Sequence, residues 1–140
     1  MKETENAKYV ESTKDLKNLQ KFTAPIQCEL SDNGKTLKLL KGFYYYRDGN
    51  KLDVIVVPAG FVSDGYSSSV FEFLIPRFSV GTKCAILHDY LCEAFHAGQC
   101  TRKFADSVFL EALLATTKMK FRSRLLYASV RCFAFFKGYK

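Results

Sequence analysis

The spacing of apolar residues changes its period about half-way along the 140-residue chain, and this change limits the fold more than any single motif. Between residues 25 and 62, short runs of β-branched and aromatic residues alternate with turn clusters, which is typical of strands. From Val70 onward, apolar residues recur at the three- and four-residue intervals of helices. The sequence therefore predicts an α+β fold, with a small N-terminal antiparallel β-meander followed by a three-helix C-terminal half.

The β part should contain three or four strands in one small sheet. A turn cluster at residues 31–34 separates the first two extended runs, and Asp48-Gly49 is a strong hairpin signal between the last two. After the last strand, residues 58–69 close the sheet and open a loop rich in glycine and serine. The four extended runs are residues 26–30, 37–40, 44–46 and 52–57.

Three helices should follow. The first is expected from about residue 81 or 82 to residue 97, with Gly98 as its stop signal. The second should begin after Thr101, a good N-cap, and reach about residue 117. The third should span residues 121–137. A chain of this length forms one ordinary domain, so we expect a polar N-terminal arm over residues 1–21 and a single α+β domain over residues 22–140.

The charge of the chain is uneven as well as basic. Twenty-one lysines and arginines face fourteen acids, which gives +7, and no acid follows Glu111. Such an excess favours an anionic partner, although it also simply keeps a protein soluble. Arg122, Arg124 and Arg131 on the third helix are candidate contacts for a membrane surface or another anion, unless they pair with acids of the chain. Nucleic acid is a weaker candidate, because no groove-reading motif or RNA-binding module is present.

Three polar residues stand out in the helical half. His88 and Asp89 lie among aliphatic residues on the first helix, and Asp106 lies on the second. Neighbouring residues on a helix point about 100° apart, so His88 and Asp89 must serve different targets. A histidine can act as a general base on water, and a carboxylate on its second nitrogen fixes its tautomer. We therefore assign His88 as base and Asp106 as the orienting carboxylate; the alternative is a buried polar network that only fixes the helix pair.

Two further patterns concern ligands. The loop residues Gly65, Tyr66 and Ser67, which follow Asp64, could place backbone groups close to a substrate, because glycine permits close approach. Separately, cysteines and histidines recur every four residues on the first helix, where neighbours could share a soft metal ion. Buried free cysteines are the commoner explanation of that second pattern, which consists of Cys84, His88, Cys92, His96 and Cys100.

Four sequence blocks, in the right order, resemble the DUF1353 family of phage and prophage proteins. They are GFVSDG at 60–65, LHDYL at 87–91, Arg102 with Ala105, Asp106 and Phe109, and RLLY at 124–127 with Val130 and Arg131. The resemblance covers about residues 55–135 and implies a phage or prophage origin without implying a reaction. The chain departs from the family pattern at residues 66–69 and at Cys92, both beside the proposed site.

The helix pair is also similar, more distantly, to the core of secreted and viral phospholipases A2. That similarity implies His88 as the base, Asp106 as the orienting carboxylate and Asp89 as a calcium ligand, with Asp64 and its loop completing the ion's oxygen ligands. The usual glycine-rich calcium loop and the disulfide frame of those enzymes are absent from the sequence. Calcium is accordingly the one cofactor that the comparison suggests.

The functional prediction has two branches. One is a phage accessory protein that acts as a small hydrolase on lipid esters at an anionic lipid or membrane surface. The other is a non-catalytic virion component, such as a tail-associated protein, or a host-interaction protein that binds a phage structural or host protein. An odd number of cysteines, the lack of a recognisable secretory signal and the lack of a long apolar run predict a reduced, intracellular chain. Together with the family resemblance, this implies the bacterial host cytoplasm or the virion.

Overall fold

The computed structural model describes residues 21–23, 25–47, 53–64 and 81–140, and these residues form five strands followed by three helices. This order confirms the predicted α+β class and the antiparallel β-meander before a helical half. The strands are β1 (Cys28–Leu30), β2 (Leu37–Leu39), β3 (Phe43–Tyr46), β4 (Val54–Val57) and β5 (Val62–Ser63). The helices are α1 (Gly81–His96), α2 (Arg102–Thr116) and α3 (Lys120–Phe136).

The strands pair in two separate antiparallel ladders, whereas the sequence predicted one sheet. One ladder has the order β1-β2-β5, and the other is the β3-β4 hairpin. The predicted meander lacked β5, which the sequence placed at the start of a loop. The reason is a tight turn at Gly60, whose φ of +85° suits glycine. Its amide donates to the Leu39 carbonyl at 2.7 Å, so the chain folds back beside β2.

The hairpin signal at Asp48-Gly49 gave the correct partners. Tyr45 of β3 faces Ile55 of β4 in antiparallel register, although residues 48–52, where the sequence predicts the turn, lie outside the described part of the chain. The segment before β1 also joins this hairpin, since the Tyr46 amide donates to the carbonyl of Lys21 at 2.8 Å. Phe22 is buried against the rings of Phe43 and Tyr45. The rest of the predicted arm, residues 1–20, lies outside the described residues.

The helix ends follow the capping signals closely. Thr101 is the N-cap of α2, where its hydroxyl accepts from the Phe104 amide at 3.0 Å. Gly98 has a φ of +76° just after α1, and the amide of Gln99 donates back to the carbonyl of Ala94 at 2.8 Å. A left-handed glycine in that position ends a helix and satisfies its last carbonyls. Each observed helix ends within about one residue of its predicted bound.

One hydrophobic core joins the strands to the helices. Helix α2 lies between α1 and α3, and its buried residues contact both. Full burial of each aliphatic or aromatic side chain contributes roughly 1.5–3 kcal/mol, so the shared core is what holds the two ladders against the helices. Its largest fully buried members are Tyr45, Phe109, Leu39, Ile86, Leu87, Leu113 and Leu126. None of the described helices is both long and apolar enough to cross a bilayer.

Candidate functional site

Asp106 lies at the meeting point of the three helices and accepts three side-chain hydrogen bonds. His88 of α1 contacts Oδ1 through Nε2 at 2.7 Å, and Arg102 contacts the same oxygen through Nε at 2.9 Å. Arg131 of α3 donates to Oδ2, also at 2.9 Å. We call these four residues the Asp106 cluster. The structure thus brings together His88 and Asp106, as expected, and adds two arginines to them.

Local helix geometry explains the position of Arg102. It lies four residues before Asp106, so both side chains occupy one face of α2 and form an i,i+4 ion pair. Arg102 is also the first residue of α2, where a positive charge opposes the helix macrodipole. A buried arginine at that unfavourable end is therefore explained by its carboxylate partner. This i,i+4 spacing was the signal in the sequence that could have identified Arg102 as part of the cluster.

Three of the four residues of the cluster are almost completely removed from solvent. His88 and Arg102 each keep 5% of their surface, and Asp106 keeps none. Burial lowers the pKa of His88 more strongly than the hydrogen bond to Asp106 raises it. For Asp106, burial alone would raise the pKa, but the bonds from His88 and Arg102 outweigh it, so the pKa lies below its usual value. With two arginines already on one carboxylate, His88 is held neutral and Asp106 ionised at neutral pH.

Two side chains flank the His88 imidazole. The ring of Phe109 lies 4.6 Å away between centroids, and the Cys92 sulfur lies 3.6 Å from Nε2 and 3.9 Å from Nδ1. Burial raises the pKa of Cys92 to about 12, so its sulfur is a thiol at neutral pH. Since the thiolate is the nucleophilic form, the departure from the family pattern at Cys92 does not create a cysteine nucleophile.

Asp89 points to a different partner from His88, as the 100° step along a helix requires. The Ser63 hydroxyl at the end of β5 donates to Asp89 Oδ2 at 2.5 Å, and this bond joins α1 to the sheet. Asp64 is the next residue along and is exposed. Asp89 is therefore bonded to the residue that precedes Asp64, while the loop residues Gly65, Tyr66 and Ser67 lie outside the described part of the chain.

No group of three His, Cys, Asp or Glu side chains able to hold a metal ion occurs among the described residues. The cysteines and histidines that recur every four residues have other contacts, and Cys100 lies beyond the end of α1. The Cys84 sulfur lies 3.3 Å from the Thr116 hydroxyl, and the Cys100 sulfur donates to the Leu91 carbonyl at 3.5 Å. His96 is exposed and packs against the ring of Tyr139. Calcium at Asp89 and Asp64 stays a prediction.

Of the three arginines predicted as anion contacts, one pairs with an acid of the chain and two are exposed. Arg131 donates to Asp106, which is the pairing that the sequence left as the alternative. Arg122 and Arg124 are exposed on α3. Only these last two therefore lie fully on the surface.

A second polar cluster on α2 was not foreseen from the sequence. The Glu111 carboxylate accepts from the Tyr45 hydroxyl at 2.8 Å and from Arg47, whose Nη2 lies 3.1 Å away. Arg47 also contacts Asp53 at 3.2 Å. Burial, together with the bond to Glu111, raises the pKa of Tyr45 far above its usual value, so it stays a neutral donor. We call Tyr45, Arg47 and Glu111 the Glu111 cluster; it fastens the hairpin to α2.

Comparison with known proteins identifies a family to which no activity is assigned. The model of the family described as "Protein of unknown function (DUF1353)" matches residues 37–130, about two thirds of the chain. This range includes β2 to β5, α1, α2 and most of α3, and it contains every member of the Asp106 cluster except Arg131. No curated protein and no solved structure matches the chain.

Proposed function

Because the chain belongs to the DUF1353 family, whose description assigns no reaction, we propose a function from the site itself: a small hydrolase that cleaves lipid esters with His88 as general base. The observation that carries this proposal is the 2.7 Å bond between His88 Nε2 and Asp106 Oδ1. A carboxylate at that nitrogen selects the tautomer with the proton on Nε2, which leaves Nδ1 as the basic nitrogen. The lowered pKa of His88 supports the role, because only a neutral imidazole can accept a proton.

The proposed step is a general-base hydrolysis. His88 Nδ1 removes a proton from a water molecule as the water oxygen bonds to the ester carbonyl carbon, which gives a tetrahedral oxyanion. The bond between that carbon and the alkoxy oxygen then breaks, and the leaving alkoxide takes the proton back from Nδ1. The products are a carboxylic acid and an alcohol, and the imidazole returns to its neutral form. Asp106 stabilises the transient imidazolium through Nε2.

Calcium is the cation proposed to assist the base. The residues that would hold it are Asp89 and Asp64, whose carboxylates are the hard ligands that calcium prefers, with Ser63 positioning Asp89. A bound divalent cation would supply positive charge against the developing oxyanion. A phospholipid ester is the proposed substrate, by the similarity of the helix pair to phospholipases A2. In this proposal the chain is a phage or prophage accessory protein, in the host cytoplasm or the virion.

The test is release of fatty acid from vesicles of mixed anionic and zwitterionic phospholipid, with calcium and with chelator. His88→Gln keeps a similar size and should abolish release. The matched control is His96→Gln, since His96 is the only other histidine and is exposed near the end of the same helix. The proposal expects calcium-dependent release from the wild type and from His96→Gln. Folded wild-type protein that releases no fatty acid under either condition would refute it.

A second function is favoured by a different observation, the burial of Asp106 under three donors. Among the described residues, no buried side-chain nitrogen or oxygen lacks a hydrogen-bond partner. A fully satisfied network of this kind can hold helices together without chemistry. The chain would then be a virion component or a host-interaction protein. In that case His88→Gln changes stability, while the wild type is inactive on every ester offered.

A further inference from the structure

Helix α3 carries a continuous apolar surface on the side that faces solvent. Successive residues of a helix turn by 100°, and this rotation places the six residues concerned within an arc of roughly 100° along the whole helix. All six are exposed, and Phe121, Phe135 and Phe136 keep 80%, 78% and 85% of their surface. We call this set the outer stripe; it consists of Phe121, Leu125, Ala128, Cys132, Phe135 and Phe136.

The outer stripe is not needed to attach α3 to the protein. The opposite side of the helix already supplies the buried contacts, through Leu126, Val130 and Ala134. Arg131 adds the bond to Asp106. A surface helix normally has one apolar side and one polar side, so a second apolar side rich in phenylalanine indicates a binding surface.

Basic residues border the outer stripe. By the same rotation, Arg124 lies along one edge and Arg122 along the other, and both are exposed. Acids are missing from residues 112–140, so this segment has no acidic side chain of its own to neutralise its positive charge, although Arg131 pairs with Asp106 outside it. The basic residues of the segment are Lys118, Lys120, Arg122, Arg124, Arg131, Lys137 and Lys140.

We propose that α3 binds the surface of an anionic lipid membrane, with the outer stripe in the boundary between headgroups and acyl chains and the basic residues at the lipid phosphates. Phenylalanine and leucine on one side, with arginine and lysine at the edges, are the features of helices that lie in the plane of a membrane. A second copy of the chain fits less well, because pairing two outer stripes would bring two sets of uncompensated cations together. Nucleic acid would contact the cations but leave the exposed phenylalanines in water.

This membrane face is independent of the hydrolase proposal. None of the six residues of the outer stripe belongs to the Asp106 cluster, and a non-catalytic protein could use the same surface. Binding can therefore be measured on ether-linked phospholipids, which have no ester to cleave. His88→Gln should bind such vesicles as tightly as the wild type, so that failure of the membrane face and failure of the hydrolase give different results.

The experiment is co-sedimentation with vesicles of ether-linked phosphatidylglycerol and phosphatidylcholine at low salt. The variant Phe121→Ser, Phe135→Ser, Phe136→Ser removes three exposed rings and should weaken binding at least about tenfold, since it removes the part of the helix that enters the lipid. The matched control is Leu30→Ser, Leu40→Ser, because those leucines, at the end of β1 and just after β2, are 52% and 53% exposed. The control should bind like the wild type.

A second variant tests the basic residues along the two edges of the outer stripe. Arg122→Gln, Arg124→Gln should weaken binding to anionic vesicles by roughly thirtyfold, since each basic residue near such a surface strengthens binding about fivefold. Lys35→Gln, Lys38→Gln removes two exposed lysines from the sheet side and serves as its control. Light scattering of the wild type and of the triple phenylalanine variant without lipid measures whether the protein self-associates.

Three results would overturn the proposal. The first is wild-type protein that does not sediment with anionic vesicles. The second is a triple phenylalanine variant that binds as tightly as the wild type, which would put the contact elsewhere. The third is self-association of the wild type that the same variant abolishes, which would identify a second copy as the occupant of the outer stripe.

Discussion

Two carboxylates on α2, five residues apart, each accept hydrogen bonds from arginine and from one neutral side chain, and yet their clusters differ in chemistry. Asp106 is bonded to two arginines and a histidine, and it joins three helices. Glu111 is bonded to one arginine and a tyrosine, and it joins a helix to a hairpin. Their environments differ as well, since the Asp106 side chain is fully buried and that of Glu111 is 21% exposed.

The two clusters differ in their neutral hydrogen-bond donor, which is Tyr45 in the Glu111 cluster and His88 in the Asp106 cluster. Tyr45 has a raised pKa, so its hydroxyl neither gains nor loses a proton at physiological pH. His88 has a lowered pKa and is neutral there, but its second nitrogen remains basic. The two clusters therefore resemble each other as structural links, and in the proposed function only the Asp106 cluster transfers a proton. The Glu111 cluster is a natural internal control.

The largest expected difference between the clusters is in stability. Asp106→Asn should lower the free energy of unfolding by about 3–5 kcal/mol, because it leaves two arginines, one of them buried, without their charge partner. Glu111→Gln should cost about 1–2 kcal/mol, since its site is partly open to water. Urea unfolding followed by circular dichroism measures both. Equal losses would show that burial does not distinguish the two clusters.

The two arginines on Asp106 should also be unequal. Arg102→Met should cost about 2–4 kcal/mol, because the Arg102 side chain is only 6% exposed and lies against the rings of Phe133 and Tyr139. Arg131→Met should cost about 1 kcal/mol, as its side chain is 29% exposed. Urea unfolding measures both free energies, and a larger loss of stability for Arg131→Met than for Arg102→Met would contradict this prediction.

The lowered pKa of His88 should make stability depend on pH. His88 has a folded-state pKa below its ordinary 6.5, so below that pH the unfolded chain binds more protons than the folded one. Stability should therefore fall as the pH drops from about 6.5, by at most about 1.4 kcal/mol per pH unit. Asp106, whose pKa is also lowered, adds a further loss below its ordinary 3.8.

Thermal unfolding between pH 7 and pH 5 measures this slope. His88→Gln should flatten it, because glutamine does not titrate, whereas His96→Gln should leave the His88 contribution in place. A variant lacking His88 that retains the full wild-type slope would place the titrating group elsewhere.

The smallest predicted effect concerns the Glu111 cluster. Tyr45→Phe keeps the buried ring and removes only the hydroxyl that donates to Glu111, so it should cost about 1 kcal/mol. Arg47 still holds the carboxylate in this variant. Fatty-acid release, if it occurs, should be unchanged. A loss of release comparable to that of His88→Gln would mean that the two clusters are not functionally separate.

The sequence predicted the helical half better than the β half, for local physical reasons. Thr101 and Gly98 carry the capping chemistry that ends helices, so the helix bounds could be deduced from neighbouring residues. The two-residue strand β5 has no detectable period, and it depends on a turn at Gly60 that places Phe61 beside Leu39. Division of the strands into two ladders is likewise a long-range result that local patterns do not contain.

In the Asp106 and Glu111 clusters, too, the sequence predicted local contacts better than long-range ones. The proximity of His88 and Asp106 could be anticipated because two antiparallel helices joined by a short connection bring their facing residues together. Arg131 lies 25 residues beyond Asp106 on another helix, and Tyr45 lies 66 residues before Glu111. Such contacts depend on how whole elements pack. The contact of Arg131 adds a second positive charge near His88, and no spacing in the sequence revealed it.

The measurement that tests the central claim most directly is an NMR titration of the His88 imidazole nitrogens, with His96→Gln used to assign the signals. The account predicts a neutral ring at pH 7 with its proton on Nε2, bonded to Asp106, and a pKa below 6.5. A ring that is charged at pH 7, or one that carries its proton on Nδ1, would contradict it, because neither form could take a proton from water at Nδ1.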